Sequence, residues 1–461
     1  MKRLFYILIL MMMGNNLIAQ TENYTRSIDQ FQKSFNTGKY DEIFNSFSAE
    51  MKQSLPIEKN NQFFSELKTQ SGNVKSMEFT GYQQSTYAAY KTQFEKQILV
   101  LNISLDSQNK INCLFIKPYE DPGKISNALT SYPKEIAETI YSTMIRFPEG
   151  TQLSIAVIQN GKTNYYGAMK DHDSIKPVEN QNKVFEIGSI SKVFTSTVLA
   201  SLVESKKIKL SDTINSYYSF PFKNNRKITF EDLANHTSGL PRLPENFNLL
   251  ELKNPYQGYH TKELEDYLKN LMSIEHTTPK NFSYSNLGTG LLGYTLGLSQ
   301  KTTFQNLLQK TVFDQYGMSQ SFTSSQNLGD ILIKGHNING ELVSNWDWDV
   351  LFGAGGILST TGDLAKFVNA QFNPKNKELA LTRKPTFTVN DNTKIGLGWH
   401  IITTKSNKEV LFHNGGTGGY SSSMTLNMKD QTAVIILSNV SSINEPVDHL
   451  CFELLSQTTK K

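Results

Sequence analysis

The decisive stretch of this chain reads Gly-Ser-Ile-Ser-Lys at residues 188–192 and leads directly into an apolar segment at residues 193–203. The apolar segment predicts a buried helix. Positions i and i+3 share one face of a helix, so the amine of Lys192 can approach the hydroxyl of Ser189. A serine becomes a nucleophile when a partner accepts its proton, and a partly desolvated lysine can do this. The spacing therefore predicts Ser189 as a nucleophile and Lys192 as its partner.

Spacing alone is a weak signal in this chain. A serine three residues before a lysine also occurs at Ser65/Lys68, Ser107/Lys110 and Ser131/Lys134. We interpret these three pairs as accidental. Ser189 differs from them because Glu186-Ile187-Gly188 connects it to a strongly apolar helix.

A second polar pattern, Tyr284-Ser285-Asn286, stands before a predicted helix at residues 287–298. Residues i and i+2 of an extended segment point the same way, so Tyr284 and Asn286 can face one cavity. A phenol can transfer a proton to a leaving group, and a carboxamide can hold the amide of a substrate. Taken alone, the pattern favours the alternative of a structural tyrosine and an asparagine that caps the helix.

A third pattern is rich in glycine and reads His-Asn-Gly-Gly-Thr-Gly-Gly-Tyr at residues 413–420, between two predicted strands. Glycine removes the side chain where a ligand or another backbone must come close. An edge strand of this kind can pair with an extended substrate and can offer a backbone N–H to an oxyanion. A phosphate-binding loop is the competing interpretation, but the strand-loop-helix context with its lysine is missing.

The length of 461 residues predicts two folded units. In the first, apolar spacing predicts helices and then β-rich segments at residues 25–35, 40–47, 56–67, 74–82, 88–94, 97–105 and 110–118. This order predicts an α+β domain at residues 20–119, followed by a linker at 120–132. The segment resembles an NTF2-like cone, in which helices precede a curved antiparallel sheet. We expect it to be structural or to bind an unknown ligand or partner.

The second unit, at residues 133–461, has predicted strands at both of its ends and helices in its middle. The predicted helices and strands lie at residues 133–145, 153–158, 396–402, 410–413, 421–428, 433–437 and 445–455. Strands at both ends predict one antiparallel sheet flanked by helices, with a helical subdomain. We expect the chemistry where that subdomain meets the sheet.

The order and spacing of the three polar patterns resemble those of class C β-lactamases, serine D-Ala-D-Ala carboxypeptidases, D-aminopeptidases and related esterases. The same resemblance is carried by residues 233–241, 353–360, 363–367 and 396–399. It covers residues 135–455 and implies the β-lactamase-like fold. It also implies that Ser189 forms an acyl-enzyme, that Lys192 assists its deprotonation, and that Tyr284 acts as general acid/base. Asn286 would hold the amide of the substrate.

The resemblance assigns the glycine-rich pattern to substrate binding. His413 takes the position that is lysine in class C β-lactamases, Asn414 and Gly415 complete the element, and the backbone N–H groups of Ser189 and Gly416 would form an oxyanion hole. Histidine titrates near neutral pH, so we expect a weak, pH-dependent interaction with a substrate carboxylate. We therefore favour a D-peptidase or esterase. The alternatives are a weak β-lactamase, a penicillin- or peptidoglycan-binding protein without turnover, and a binding protein with a vestigial cleft.

The N-terminus predicts export. Lys2 and Arg3 precede an apolar run at residues 4–13, and Ala19 supplies a small residue at the end. These features are typical of a signal peptide, here residues 1–19. We expect a soluble periplasmic or secreted protein without an integral membrane segment after cleavage.

Composition argues against several other classes of function. The formal net charge of +4 comes without a basic stripe, so nucleic acid is not expected as a partner. Neither the histidines nor the cysteines have the spacing of metal ligands, so we expect no metal and no cofactor. The partner expected is a small molecule or a peptide. Cys113 and Cys451 are expected to be two separate buried thiols.

Overall fold

A computed structural model describes residues 17–83, 87–106, 108–119, 125–247, 253–274, 281–404 and 406–458. The chain divides into two compact units, Met1–Asp121 and Pro122–Lys461. Most of the predicted signal peptide at residues 1–19, and residues 120–124 of the predicted linker, lie outside the described residues.

The first unit consists of helices followed by an antiparallel sheet. Its helices are α1 (Leu17–Asn36), α2 (Tyr40–Asn45), α3 (Ala49–Ser54) and α4 (Ile57–Ser71). Its strands, which pair in chain order, are β1 (Val74–Gln83), β2 (Tyr87–Phe94), β3 (Ile98–Leu105) and β4 (Ile111–Pro118). The predicted α+β class is confirmed. Helix α3, which Ser48 caps by accepting the N–H of Met51, was not predicted.

Aromatic side chains form the core of this unit. The ring of Phe35 on α1 is completely buried, 6.2 Å from the ring of Phe64 on α4 and 5.7 Å from that of Phe94 on β2. The pairing of β1 with β2 shifts register between Phe79 and Gly81. Irregularities of this kind bend and twist a strand locally.

The second unit contains a large sheet with the strand order β12-β13-β14-β15-β16-β17-β6-β8-β9-β5, with β7 paired to β6 and a separate pair of β10 with β11. Neighbouring strands are antiparallel except that β5 joins β9 in parallel. The strands are β5 (Ser126–Asn127), β6 (Gln152–Gln159), β7 (Lys162–Tyr165), β8 (Ala168–Asp171), β9 (Ser174–Pro177), β10 (Phe185–Glu186), β11 (Leu358–Ser359), β12 (Phe387–Asn390), β13 (Thr393–Ile395), β14 (His400–Thr403), β15 (Glu409–Gly416), β16 (Ser421–Asn427) and β17 (Thr432–Ser438).

Strands from the two ends of this unit lie side by side, as predicted. Ile435 of β17 pairs with Ala156 of β6. One strand prediction was wrong: residues 396–399 form a turn between β13 and β14, closed by the N–H of Gly396 on the carbonyl of Trp399. Gly398 in this turn has a φ of +74°, which a strand does not allow.

Helices cover both faces of the large sheet. They are α5 (Lys134–Met144), α6 (Ser191–Glu204), α7 (Phe230–Ala234), α8 (Thr261–Asp266), α9 (Asn286–Ser299), α10 (Phe304–Leu308), α11 (Thr361–Gln371), α12 (Lys377–Thr382) and α13 (Asn444–Thr458). Alternate residues of β17 point to opposite faces: Val434 packs in the core with α5 and α13, and Ile435 packs in the core with α6, α9 and α11.

Two further observations complete the architecture. Cys113 and Cys451 are both buried and free, as expected. Among the described residues, none of the helices is both long enough and apolar enough to cross a membrane.

Candidate active site

Ser189 lies half-buried in the 3₁₀ turn Gly188–Ile190, which leads into α6. Lys192 stands in the first turn of that helix and is completely buried. Its amine donates to the hydroxyl oxygen of Ser189 at 2.9 Å and to the carbonyl of Ala354 at 2.6 Å. Burial, together with the charge of Arg242, holds the pKa of Lys192 well below its usual range. A neutral amine at this distance can accept the proton of Ser189.

The acceptor at Ala354 belongs to the Gly-Ala-Gly-Gly stretch at residues 353–356, which the sequence connected to the fold but not to a function. The hydroxyl of Thr195 on α6 donates to the carbonyl of Gly353 at 2.7 Å. A Cβ on Gly353 would lie 2.9 Å from the carbonyl oxygen of Thr289 on α9. The glycine thus lets this segment pack between α6 and α9, where its carbonyls orient Lys192.

Tyr284 lies beside this pair, just before α9. The amine of Lys192 is 4.9 Å from the centre of its ring, and the guanidinium carbon of Arg242 is 5.3 Å from it. Burial raises the pKa of Tyr284 to about 12, against the effects of a hydrogen bond with Ser189 and of the charge of Arg242. The phenol is therefore protonated at neutral pH and suited to donating a proton.

Asn286, the first residue of α9, lies on the same side. Its amide nitrogen donates to the hydroxyl of Tyr256 at 2.9 Å, and its buried Oδ1 has no hydrogen-bond partner among the described residues. The helix cap is Ser285, whose hydroxyl accepts the N–H of Gly288 at 2.8 Å. The capping alternative for Asn286 was therefore wrong. An unpaired buried amide oxygen can bind the N–H of a substrate.

The end of strand β15 runs past the Ser189 turn. A Cβ on Gly415 would lie 2.1 Å from the carbonyl oxygen of Ile187 and 2.8 Å from the backbone nitrogen of Ser189. A Cβ on Gly188 would lie 2.6 Å from the nitrogen of Gly416. Glycine is required at both positions because the two backbones approach so closely. The structure thus brings the peptide groups of Ser189 and Gly416 together.

His413 and Asn414 point to opposite faces of β15. The ring of His413 is buried with its centre 6.5 Å from that of Tyr284. The side chain of Asn414 instead donates to the carboxylate of Asp448 on α13 at 2.6 Å. Of the predicted binding residues, Asn414 is the one whose side chain is not brought to the Ser189 group.

The expected pH-dependent charge on His413 was wrong. Its Nδ1 lies 2.7 Å from the carbonyl oxygen of Asn414, which places the proton on Nδ1 and leaves Nε2 as an acceptor. That Nε2 is buried without a partner among the described residues. Burial, with His400 and Lys192 nearby, holds the pKa of His413 well below its usual range. The ring is neutral at physiological pH.

Two histidines near Tyr284 and His413 were missed: His236, which positions Tyr284, and His400, which packs against His413. The Nδ1 of buried His236 accepts the N–H of Ser285 at 3.2 Å, and its carbonyl accepts the N–H of Ser283 at 2.9 Å. Its ring centre lies 4.6 Å from that of Tyr284. His400 packs 5.4 Å from the ring of His413. The resemblance at residues 233–241 was the available signal for His236.

Comparison with known proteins places this geometry in a family. A family model described as beta-lactamase matches residues 147–450, more than half of the chain. The chain belongs to the β-lactamase family. It is a serine hydrolase related to the β-lactamases and penicillin-binding proteins. A second model, a protein family of unknown function called DUF3887, matches residues 29–114 in the first unit.

Individual members of the β-lactamase family are only distantly similar in sequence. A protein named beta-lactamase from Pseudomonas fluorescens is 27% identical over 295 residues, covering 62% of this chain and 78% of that protein. Protein flp from Staphylococcus aureus (strain N315) is 24% identical over 326 residues, covering 66% of this chain and 63% of flp.

Solved structures support the same fold. A beta-lactamase/D-alanine carboxypeptidase from Pseudomonas syringae has a TM-score of 0.60 at 23% identity, covering 70% of this chain and 97% of the other. A class C beta-lactamase has a TM-score of 0.59 at 23% identity, covering 70% and 94%. The predicted β-lactamase-like fold is confirmed.

Proposed function

We propose that this β-lactamase-family hydrolase cleaves an amide or ester through an acyl-enzyme on Ser189, with a D-amino-acid peptide or a small ester as substrate. The main support for this proposal is the 2.9 Å contact between the Ser189 hydroxyl and the amine of the completely buried Lys192. Desolvation favours the neutral amine, which can take the serine proton at neutral pH.

Acylation follows from this arrangement. The Oγ of Ser189 attacks the substrate carbonyl carbon while its proton passes to the amine of Lys192. The N–H groups of Ser189 and Gly416 stabilise the negative carbonyl oxygen of the tetrahedral intermediate. Removing one such donor costs about 10²–10³ in rate.

Departure of the leaving group requires a proton, which Tyr284 supplies. The C–N or C–O bond breaks, the leaving atom takes the phenol proton, and the Lys192 ammonium returns a proton to Tyr284. Water then attacks the acyl-enzyme carbonyl and gives its proton to the neutral amine of Lys192. The bond between the carbonyl carbon and Oγ breaks, Lys192 returns that proton to Oγ, and the acid leaves with Ser189 restored. The high pKa of Tyr284 suits it to the donor role, and the lowered pKa of Lys192 suits it to the acceptor role.

The neutral His413 supports the peptidase or esterase assignment over efficient β-lactam hydrolysis. A neutral ring gives β15 no positive charge with which to hold the carboxylate of a β-lactam. The Nε2 of His413 and the Oδ1 of Asn286, which have no partner among the residues that the structure describes, instead offer acceptors to N–H or O–H groups of a substrate. The Pseudomonas syringae neighbour, described as a beta-lactamase/D-alanine carboxypeptidase, is consistent with this choice.

We also propose that the protein acts outside the cytoplasm, in the periplasm or as a secreted protein. The support is the charged and apolar pattern of residues 1–19. N-terminal sequencing of the protein from its native host should begin at Gln20. A cytoplasmic product that retains Met1 would contradict this part of the proposal.

The test of the nucleophile is intact-mass labelling with a fluorophosphonate and with a fluorescent penicillin. We expect an adduct on the wild-type protein, none on Ser189→Ala, and an undiminished adduct on Ser131→Ala, a matched serine that also precedes a lysine by three residues. A faster reaction with the fluorophosphonate favours the esterase or peptidase. A stable stoichiometric penicillin adduct favours the binding protein. Folded wild-type protein that reacts with neither probe would refute the catalytic assignment.

A further inference from the structure

Arg242 stands at the rim of the Ser189 site. Its guanidinium carbon lies over the ring of Tyr284, 5.3 Å from the ring centre, and its side chain is exposed. Within the described part of the chain, no carboxylate pairs with it. A guanidinium over an aromatic ring is held in place while its N–H groups stay available to an anion.

The main chain around Arg242 is fixed to the start of α9. The carbonyl of Arg242 accepts the N–H groups of Asn286 and Leu287, each at 3.1 Å. The carbonyl of the preceding Pro241 accepts the hydroxyl of Ser285 at 2.6 Å. These bonds fix the main chain of Arg242 next to the start of α9. The contact of the guanidinium with the ring of Tyr284 then places the end of the side chain beside that residue.

The other basic side chains near Tyr284 are buried and already engaged or neutral. The amine of Lys192 faces Ser189 and Ala354, and the Nδ1–H of His413 faces a backbone carbonyl. Burial lowers the pKa of His400 to about 4 and holds that of His236 well below its usual range. Among the described residues, Arg242 is therefore the positive charge that a substrate anion would meet at Tyr284.

We propose that Arg242 determines specificity by binding a carboxylate on the leaving group of the substrate. Arginine binds carboxylates through two parallel hydrogen bonds. The leaving-group side follows from the position of the guanidinium over Tyr284, the residue that protonates the leaving atom, so this step rests on the proposed function. Arg242 thus supplies the charge that His413 lacks, and it selects leaving groups such as a C-terminal D-amino acid or a D-2-hydroxy acid over neutral alcohols and amines.

The first test compares two thioester substrates with the same N-acetyl-D-alanyl group. One releases thioglycolate, and the other releases its uncharged carboxamide. We expect the wild-type kcat/KM to favour the carboxylate by about 10- to 100-fold, as for a hydrogen bond to a charged group. Arg242→Gln should reduce that ratio to nearly one, and Arg242→Lys should keep part of it. Arg146→Gln, beyond the end of α5, is the control and should keep the wild-type ratio.

The second test is independent of turnover. Ser189→Ala protein is titrated with N-acetyl-D-alanyl-D-alanine, which carries a carboxylate on its leaving group, and with its C-terminal carboxamide, with and without Arg242→Gln. Tighter binding of the acid that disappears in Arg242→Gln supports the inference. Equal binding of acid and amide, or a preference that survives Arg242→Gln, overturns it even where Ser189 is the nucleophile. An Arg242-dependent preference without labelling of Ser189 in the wild type would instead overturn the proposed function.

Discussion

Two serine–lysine pairs in this protein have the same spacing but differ in the burial and the contacts of the lysine. Ser189/Lys192 and Ser131/Lys134 both place the lysine in the first turn of a helix. The side chain of Lys134 is 87% exposed and lies 3.8 Å from the carboxylate of Glu138, whereas Lys192 is 0% exposed and contacts Ser189. The spacing allows the lysine amine to approach the serine hydroxyl. Desolvation lowers the pKa of the amine, so that it can act as a base.

The helices that carry the two lysines explain the difference in burial. Helix α6 is buried on nearly all sides, because other helices, among them α7, α9, α10 and α12, pack around it. Helix α5 covers the outer face of the sheet and buries a stripe that includes Ile140 and Met144. A lysine in the first turn of α5 reaches water, and one in the first turn of α6 does not.

The largest effect should come from removing the buried amine. We expect Lys192→Met to lower kcat/KM by about 10³, within the range for general-base catalysis, and to slow fluorophosphonate labelling similarly. Lys134→Met should change neither rate. Near-normal labelling of Lys192→Met would show that the buried amine is not needed to activate Ser189.

Tyr284→Phe separates proton donation from nucleophile activation. We expect a loss of about 10² in kcat/KM on an amide, whose leaving nitrogen must be protonated, and a much smaller loss on a p-nitrophenyl ester. Steady-state kinetics on both substrates measure this. Equal losses on the two substrates would assign Tyr284 to the activation of Ser189 rather than to the leaving group.

Substitution of Gly398 tests whether close packing against the main chain of Lys192 contributes to stability. A Cβ at this position would lie 2.7 Å from the carbonyl oxygen of Lys192, whereas a Cβ at Gly150 would meet nothing within 4 Å. Both glycines have positive φ, +74° and +75°, so alanine is strained at both. We expect Gly150→Ala to cost about 1 kcal/mol of unfolding free energy and Gly398→Ala about 2–4 kcal/mol. Denaturant unfolding measures the difference, and equal costs would contradict the close packing.

Asp448 is a partly buried ionisable residue that lies outside the Ser189 site. Burial, with Glu445 nearby, raises its pKa to about 6 from the ordinary 3.8. The folded protein therefore holds this proton more tightly than the unfolded chain, and above pH 6 the buried charge lowers stability. Asp448→Asn should raise the unfolding free energy by about 1–2 kcal/mol at pH 8, since the side chain is partly exposed, and by little at pH 4. Denaturant unfolding at pH 4 and pH 8 measures this difference. An equal increase in unfolding free energy at both pH values would contradict the raised pKa of Asp448.

Much of the fold could be predicted from the sequence because its signals are local. Short apolar runs at residues 153–158 and 433–437 predicted two strands, and the structure pairs them. The turn at residues 396–399 was missed because Leu397 and Trp399 look like strand residues. Both side chains are buried in the core that also contains residues of α6, α9 and α11. A distant helix also holds the turn, because the N–H of Gly398 donates to the carbonyl of Ala234 on α7.

The candidate site was predictable where it depends on side-chain type and spacing, as for Ser189, Lys192 and Tyr284. It was not predictable where it depends on backbone or burial. The carbonyl of Ala354 carries no signal in its side chain. The neutrality of His413 follows from burial between Tyr284 and His400, which no local pattern encodes.

The pairing of β6 with β17 has a consequence for how the protein is made. Residues 152–159 find their partner strand at residues 432–438, nearly three hundred residues later in the chain. Contacts at such separation form slowly, because a long loop must close first. During synthesis, β6 cannot pair with β17 until residues 432–438 have left the ribosome. A nascent chain that stops before Thr432 therefore contains Ser189 and Lys192 but lacks the completed sheet.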